Sequence, residues 1–268
     1  MSSIEAAQPS FAAHGWGIAR GLFDAPEVAE LTAHFMAMRA EGPKPGDYAG
    51  EPGPDGDDDP LLAWPRLIHM HRWDARSLRW MLDARLRRGL EALLAAVGRP
   101  GTPSAVQTML YFKPPGARGQ ALHQDQAYLR ASPGTCAAAW LALDRADESN
   151  GCMRVVEGSG RLPILAHGAV ENADSFTAVG VLDLPADAVV VPAVMEPGDV
   201  LFFTGEVVHG SLPNRSDRFR RALIGHYLSA DVAEVDPFYL PALAPDGEPA
   251  SVAPAPRDGP GVDPDLEG

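Results

Sequence analysis

Six short apolar runs constrain what this chain can fold into more than any other feature. Residues 107–112, 138–143, 152–156, 188–191, 200–203 and 222–228 are brief, apolar or alternating, and bounded by Gly, Pro, Asp or Asn. Runs of that length with turn residues between them read as strands of a β-sandwich or barrel. Helical patterns precede them. Asp24 can cap a helix with Glu27 completing the box, after which Val28, Leu31, Phe35 and Met36 recur at helical spacing. Residues 74–97 carry Leu78, Leu82, Leu86, Leu90, Leu93 and Leu94 in one stripe, with Gly98 placed to end it, and read as one helix. Residues 15–20 read as a short strand. The expected fold class is mainly β with flanking helices (α+β), the helices packed against the outside.

The formal charge of -14 is unevenly spread. Residues 41–60 carry net -6 and residues 241–268 net -5, which leaves the body close to neutral. Nucleic acid needs a clustered basic face, and the sequence has none. No apolar stretch reaches the ~20 residues of a membrane helix. The first eight residues have neither the basic start nor the apolar run of a signal peptide. A soluble, cytoplasmic monomer or homodimer with a small-molecule partner is expected. Cys136 and Cys152 stand among small and apolar neighbours and read as buried free thiols, not a disulfide framework.

Residues 42–60 contain no apolar run and read as a loop, with a lid as the functional version of it. Within it, Asp57, Asp58 and Asp59 lack the spacing of a calcium loop and read as solvated acids. Residues 1–240 read as a single domain, and the Pro/Ala/Gly- and acid-rich residues 241–268 as a disordered tail.

Chemistry gathers in residues 121–129. On a strand, the period of two puts His123 and Asp125 on one face and turns Gln124 away. A second histidine would complete the facial set of two histidines and one carboxylate that holds a non-haem Fe(II) with positions left open. Alone, His-x-Asp equally describes a surface turn or a hydrogen-bonded couple. His209 is the best-placed second histidine, closing an apolar strand ahead of small and turn-forming residues. His14, His34, His69, His71, His167 and His226 read as structural or exposed, with His34 solvated and His69 and His71 alternating in a strand. Arg220 and Arg221 begin the last strand and must face opposite ways, so one can enter the barrel. A buried guanidinium needs an anionic partner, and its fork suits a carboxylate; two solvated arginines at a strand start are the plainer reading.

In order and spacing, several motifs together resemble the phytanoyl-CoA dioxygenase (PhyH-like) family of Fe(II)/2-oxoglutarate oxygenases. They are Gln107-Thr108-Met109-Leu110, Lys113-Pro114-Pro115, Leu122-His123-Gln124-Asp125, Ala139-Trp140, Asn150-Gly151-Cys152, Pro197-Gly198-Asp199, His209-Gly210-Ser211 and Phe219-Arg220. The resemblance runs over residues 12–235 and implies a double-stranded β-helix, a jelly-roll (cupin-like) barrel. It implies that His123, Asp125 and His209 are the catalytic iron ligands and that Arg220 holds the distal carboxylate of 2-oxoglutarate. Ser211, Trp140 and Met109 then line the cosubstrate. A further basic residue near it falls among Arg66, His69, His71 and Arg72.

The implied chemistry consumes O2 and 2-oxoglutarate, releases succinate and CO2, and hydroxylates an unactivated C–H bond. Related halogenases carry a small residue where this chain has Asp125, which favours hydroxylation over halogenation; desaturation, epoxidation and ring formation use the same triad. Where the family often reads Val-Pro-Gly-Ser-His, residues 156–160 depart from it, which affects the loop there. A small metabolite, such as an amino acid or natural-product intermediate, is expected over an acyl-CoA, because no basic cluster awaits a CoA phosphate. Two alternatives use the same residues: a zinc hydrolase, which leaves Arg220 unexplained, and a barrel-shaped binding protein without turnover.

Overall fold

The structure, a computed structural model, describes residues 1–50 and 58–256. A capping box between Ser2 and Glu5 starts a helix absent from the sequence reading, α1 (Ser3–His14), which leads into β1 (Trp16–Ala19). Asp24 and Glu27 form the expected box at α2 (Ala25–Ala40). Next come β2 (Asp47–Tyr48), α3 (Pro60–Ala63), β3 (Arg66–Ile68) and a 3-10 turn at Met70–Arg72. The leucine stripe forms two helices instead of one, α4 (Ala75–Met81) and α5 (Ala84–Ala96). The break falls where the Asp83 side chain accepts from Arg85 N at 2.7 Å and so caps the second.

β4 (Ser104–Tyr111), β5 (Gln120–His123), α6 (Asp125–Leu129), β6 (Cys136–Ala142) and β7 (Met153–Val156) follow. The chain continues through β8 (His167–Ala169), β9 (Val179–Val181), β10 (Val190–Ala193), β11 (Val200–Thr204) and β12 (His209–Ser211). It closes with β13 (Ala222–Leu228), β14 (Glu234–Val235) and β15 (Ala253–Pro254). A seven-stranded sheet, ordered β1-β11-β6-β13-β4-β3-β2, packs on a four-stranded one, β10-β7-β12-β5, as a jelly roll. None of the described helices is long and apolar enough to cross a membrane.

Strand parity divides the core in two. From β6, Ala137, Ala139 and Leu141 join Phe11, Phe35, Leu86 and Leu90 of the helices, while Ala138, Trp140 and Ala142 face the small sheet. β11 does the same, with Phe202 toward the helices and Phe203 inward. Helices on one face and a sheet on the other explain why β6, β11 and β13 are buried along their whole length and read as continuous apolar runs.

Two further expectations change. Residues 241–256 are ordered, contrary to the disordered tail: Leu243 pairs with Ala105, and β15 pairs with β14. Ala242 and Ala255 are buried there, a gain that overall composition conceals; residues 257–268 lie outside the described residues. Asp59 is not a solvated acid. It is 5% exposed, ion-paired with Arg118 at 2.7 Å, and caps α3 through Leu61 N. Asp57 and the rest of residues 51–57 fall outside the described residues, and β2 occupies part of the expected 42–60 loop.

Gly89 lets α5 approach β11: a Cβ there would meet the buried Phe202 ring at 2.3 Å. Alanine favours a helix by ~1 kcal/mol over glycine, yet Gly89→Ala is expected to lower the urea midpoint, by an overpacking cost of about 1–3 kcal/mol.

Candidate active site

The pairing of β5 with β12 sets His123 directly opposite His209, with ring centroids 4.2 Å apart. Each ring is fixed by the carbonyl two residues earlier: His123 Nδ1 to Ala121 O at 2.8 Å, His209 Nδ1 to Val207 O at 2.9 Å. A carbonyl only accepts, so Nδ1 carries the hydrogen in both rings and Nε2 presents its lone pair to the site. The Gln120 amide lies 3.3 Å from His123 Nε2.

Asp125 reaches the same point by a different route from the expected continuous strand, as the first residue of α6. Gln124 is turned away, as the alternation requires. It anchors the turn by donating to Glu206 O at 2.8 Å and Pro163 O at 3.2 Å and accepting from Leu165 N at 2.7 Å. Asp125 Oδ1 then stands 3.4 Å from His123 Nε2 and 3.6 Å from His209 Nε2. One ligand atom from each of the three buried residues lies within 4.8 Å of the others, a set that can hold a metal ion.

Burial acts on the set in opposite senses. It is the main cause that pushes the His209 pKa down to about 4. For Asp125 burial opposes the charge, but the neighbouring His209 and His226 outweigh it, holding the carboxyl well below its usual range. A neutral His209 beside an ionised carboxylate is the protonation state that a divalent cation requires.

Arg220 enters the interior at 2% exposure, while Arg221 pairs with Asp144 at 2.7 Å. The Arg220 guanidinium donates to Gly151 O at 3.1 Å and lies 5.2 Å from the Trp140 ring centroid. Behind it, Lys113 is 4% exposed and donates to Ser211 Oγ at 2.9 Å, to Gly151 O at 3.3 Å and to Leu212 O. Neither cation is ion-paired with a carboxylate among the described residues. Burial lowers the Arg220 pKa to about 10 and pushes Lys113 well below its ordinary value. Met109, Trp140 and Ser211 line the same cavity as the histidines, Asp125 and Arg220, with a volume of about 300 Å³.

Of the four basic candidates, Arg66 lines this cavity, donating to the Tyr111 hydroxyl at 3.0 Å and stacking 4.2 Å from the Tyr48 ring centroid. His69 and His71 belong to the 3-10 turn and its entry, not to a strand. His71 Nδ1 is 3.1 Å from Thr108 Oγ1, His69 packs on Phe238, and Arg72 donates to Phe238 O and Leu240 O. His34 is not solvated; its Nε2 lies 3.1 Å from Asp74 Oδ1. The sequence assigns no task to Lys113 and leaves His226 between a pocket-facing and a strand-surface position. His226 lines the cavity and holds Asp125 Oδ2 at 3.1 Å. Parity could have found it, because positions 220, 222, 224 and 226 share one face of a strand.

A jelly roll with two facing histidines, a carboxylate and a buried arginine around one cavity defines the class of protein. Residues 11–222 match the family described as "Phytanoyl-CoA dioxygenase (PhyH)", and the chain belongs to that family. The peroxisomal phytanoyl-CoA dioxygenase of Rattus norvegicus is 34% identical over 134 residues, covering 47% of this chain and 40% of the relative. Phytanoyl-CoA dioxygenase 1 of Oryza sativa subsp. japonica is 30% identical over 137 residues, 49% of this chain and 47% of its own length. The chain thus spans less than half of these curated relatives. Among solved structures, the epimerase SnoN in complex with Fe3+, alpha ketoglutarate and nogalamycin RO superposes with TM-score 0.70 at 22% identity, over 96% of both chains. EctD from S. alaskensis with 2-oxoglutarate and 5-hydroxyectoine gives TM-score 0.66 at 20% identity, over 93% of this chain and 86% of that one. Both likenesses concern the fold.

The buried imidazoles carry a pH signature. His209 and His71 have folded pKa values of about 4 and His69 of about 3, each lowered chiefly by burial from 6.5. The unfolded chain therefore takes up these protons first. Stability of the metal-free protein is expected to be full above pH ~6.5 and lost as the pH falls toward ~4. Urea midpoints measured across that window should fall steadily with acidification; a flat profile would show these rings charged in the fold.

Proposed function

We propose that this protein is an Fe(II)- and 2-oxoglutarate-dependent dioxygenase that hydroxylates an unactivated C–H bond of a small metabolite, releasing succinate and CO2. The observation that carries this reading is the juxtaposition of the His123, Asp125 and His209 set with a buried, carboxylate-free Arg220 in one cavity. The residues fit the groups: two oriented Nε2 lone pairs and one carboxylate oxygen for the iron, and an unmatched guanidinium for the far carboxylate of a dicarboxylate. Bound together, iron and 2-oxoglutarate supply the oxidising chemistry that attacks an otherwise unreactive C–H bond.

The chain's own residues do the rest. Val207 O and Ala121 O hold the histidine tautomers, and Gln124 fixes the turn that presents Asp125. Arg220 and Ser211, the latter held by Lys113, would orient the dicarboxylate, with Trp140 and Met109 as its walls. Arg66 is the basic residue assigned to the cosubstrate side. A zinc hydrolase would leave Arg220 and Lys113 without a task. The cavity of about 300 Å³ equals roughly ten water volumes. Once a dicarboxylate is seated, that leaves space for a compact substrate such as an amino acid or natural-product intermediate. Asp125 keeps the carboxylate that favours hydroxylation over halogenation.

Fe(II) and 2-oxoglutarate added anaerobically should produce a metal-to-ligand absorption band, and admission of oxygen should then release succinate. Absence of both would sink the oxygenase. His123→Ala and Asp125→Ala are expected to abolish turnover. Arg220→Ala should raise the 2-oxoglutarate KM by a factor on the order of 10², the loss expected when a buried charge pair is broken. Arg221→Ala, whose guanidinium serves Asp144 outside the cavity, should leave that KM near its original value.

A further inference from the structure

The family match ends at residue 222, yet part of the cavity wall comes later in the chain, from Asp236, Phe238 and Tyr239. Asp236 caps a 3-10 turn, Pro237–Tyr239, by accepting from Phe238 N at 3.0 Å. Further hydrogen bonds tie this turn to its surroundings. Asp236 N donates to Leu129 O at 2.9 Å, at the end of α6, and Arg72 donates to Phe238 O at 3.1 Å and to Leu240 O at 3.0 Å. Tyr239 is buried at 6% exposure and packs with Leu129 and Val235. Phe238 is not. Its ring rests edge-on against His69, 4.7 Å between centroids, yet 52% of the residue is exposed at the cavity it lines. A single exposed phenyl elsewhere on a surface needs no explanation. On a backbone fixed by these hydrogen bonds and beside a binding cavity, it is a preorganised apolar contact that loses little freedom when a ligand covers it.

We propose that Phe238 is a specificity-determining residue, and that the primary substrate is an uncharged, ring-bearing molecule that lies on its phenyl face. The inference rests on the oxygenase reading above and narrows its substrate. Tyr128 continues the aromatic wall inward: it lines the same cavity, and its ring stands edge-on to that of His123 with centroids 5.9 Å apart. A ring that rests on Phe238 and reaches Tyr128 brings a C–H bond toward the metal set. The charged side chains beside Phe238 already serve the turn. Arg72 bonds its carbonyls, and Asp236 accepts from Phe238 N and lies 3.6 Å from the Arg130 guanidinium. The ammonium or carboxylate of an amino acid would therefore give up hydration on this side without a matching charge. A flexible acyl chain covers the same apolar area but surrenders rotor freedom that a ring never had.

The test uses the full chain loaded anaerobically with Fe(II) and 2-oxoglutarate. Tetralin, α-tetralone and flavanone are the ring probes, leucine and ornithine the charged ones, and phytanoyl-CoA the open-chain one. Ring probes are expected to shift the absorption band and to stimulate succinate release on admission of oxygen. Phe238→Ala should weaken their binding, read from the band shift, by about tenfold or more, the loss expected on truncating an aromatic anchor. Phe238→Tyr keeps the ring at a half-exposed position and should restore binding. Phe238→Leu keeps apolar bulk against His69 without a flat face, and should also bind rings more weakly than the parent; it serves where the alanine variant fails to fold. The inference is overturned if no ring probe shifts the band, or if an amino acid or phytanoyl-CoA shifts it at lower concentration than the rings. It is equally overturned if either truncated variant binds rings like the parent, or if Phe238→Tyr is as weak as Phe238→Ala. Failure to form the band with 2-oxoglutarate alone instead removes the oxygenase reading, and this inference with it. A band that forms in the variants while ring binding is lost places the effect at the substrate.

Discussion

The antiparallel contact between β5 and β12 is what the site depends on. It is short, four residues against three, and its register shifts between His209 and Ser211. Within it, a directly opposed pair brings two imidazoles from distant parts of the chain to one point, and the carbonyl two residues before each sets the tautomer. A one-residue slip would turn either ring to the other face of the sheet. The pairing is held by its neighbours: β12 also pairs with β7, and Gln124 ties the end of β5 to the backbone at Glu206, close to the start of β12. Gly210 fits this packing, since a Cβ there would come within 2.8 Å of Gln120 O.

The large sheet supplies the opposite wall, and its rigidity comes from being covered. Helices α1, α2 and α5 bury one face, so the inward side chains of β13 and β4 project from a backbone that cannot yield to solvent. Arg220, Ile224 and His226 therefore reach the cavity from one strand, and Gln107, Met109 and Tyr111 from its neighbour. The order along these strands is also an order of tasks, from the proposed dicarboxylate anchor at Arg220 to the contact with Asp125 at His226.

Much of this was legible because strands keep a strict period. Turn-bounded apolar runs marked the sheets, and parity set Arg220 and Arg221 on opposite faces and Gln124 away from His123, while the family resemblance singled out Arg220. What escaped depended on contacts that no local pattern encodes. The split of the leucine stripe hinges on one capping carboxylate, Asp83, in an otherwise continuous helical pattern. The segment 241–256 is rich in proline and alanine, and only its pairing with Ala105 and β14 gives it a place. Asp59 looked like one more acid in an acidic loop until Arg118, 59 residues later, supplied its partner. His226 stood open between pocket and strand surface, and it is the face it shares with Arg220, six residues earlier, that puts it at the cavity. Lys113 carried no signal beyond its place before two prolines.

Lys113 also shows how the fold and the proposed chemistry are linked. Its ammonium has three donors and meets three acceptors, at Ser211, Gly151 and Leu212, so its hydrogen bonding is complete without a ligand. Its charge is a different matter. Burial is the main cause that lowers the pKa of both groups, and at Lys113 the neighbouring Arg220 charge adds to it. An anion seated against Arg220 would relieve the repulsion for both cations at once, so its binding would be favoured by more than one ion pair. The same Gly151 carbonyl accepts from both side chains, which fixes their separation and with it the place where the negative charge must sit. A residue remote from the metal set can in this way make the pocket selective for a doubly anionic cosubstrate, because a neutral molecule of equal shape would leave the repulsion in place.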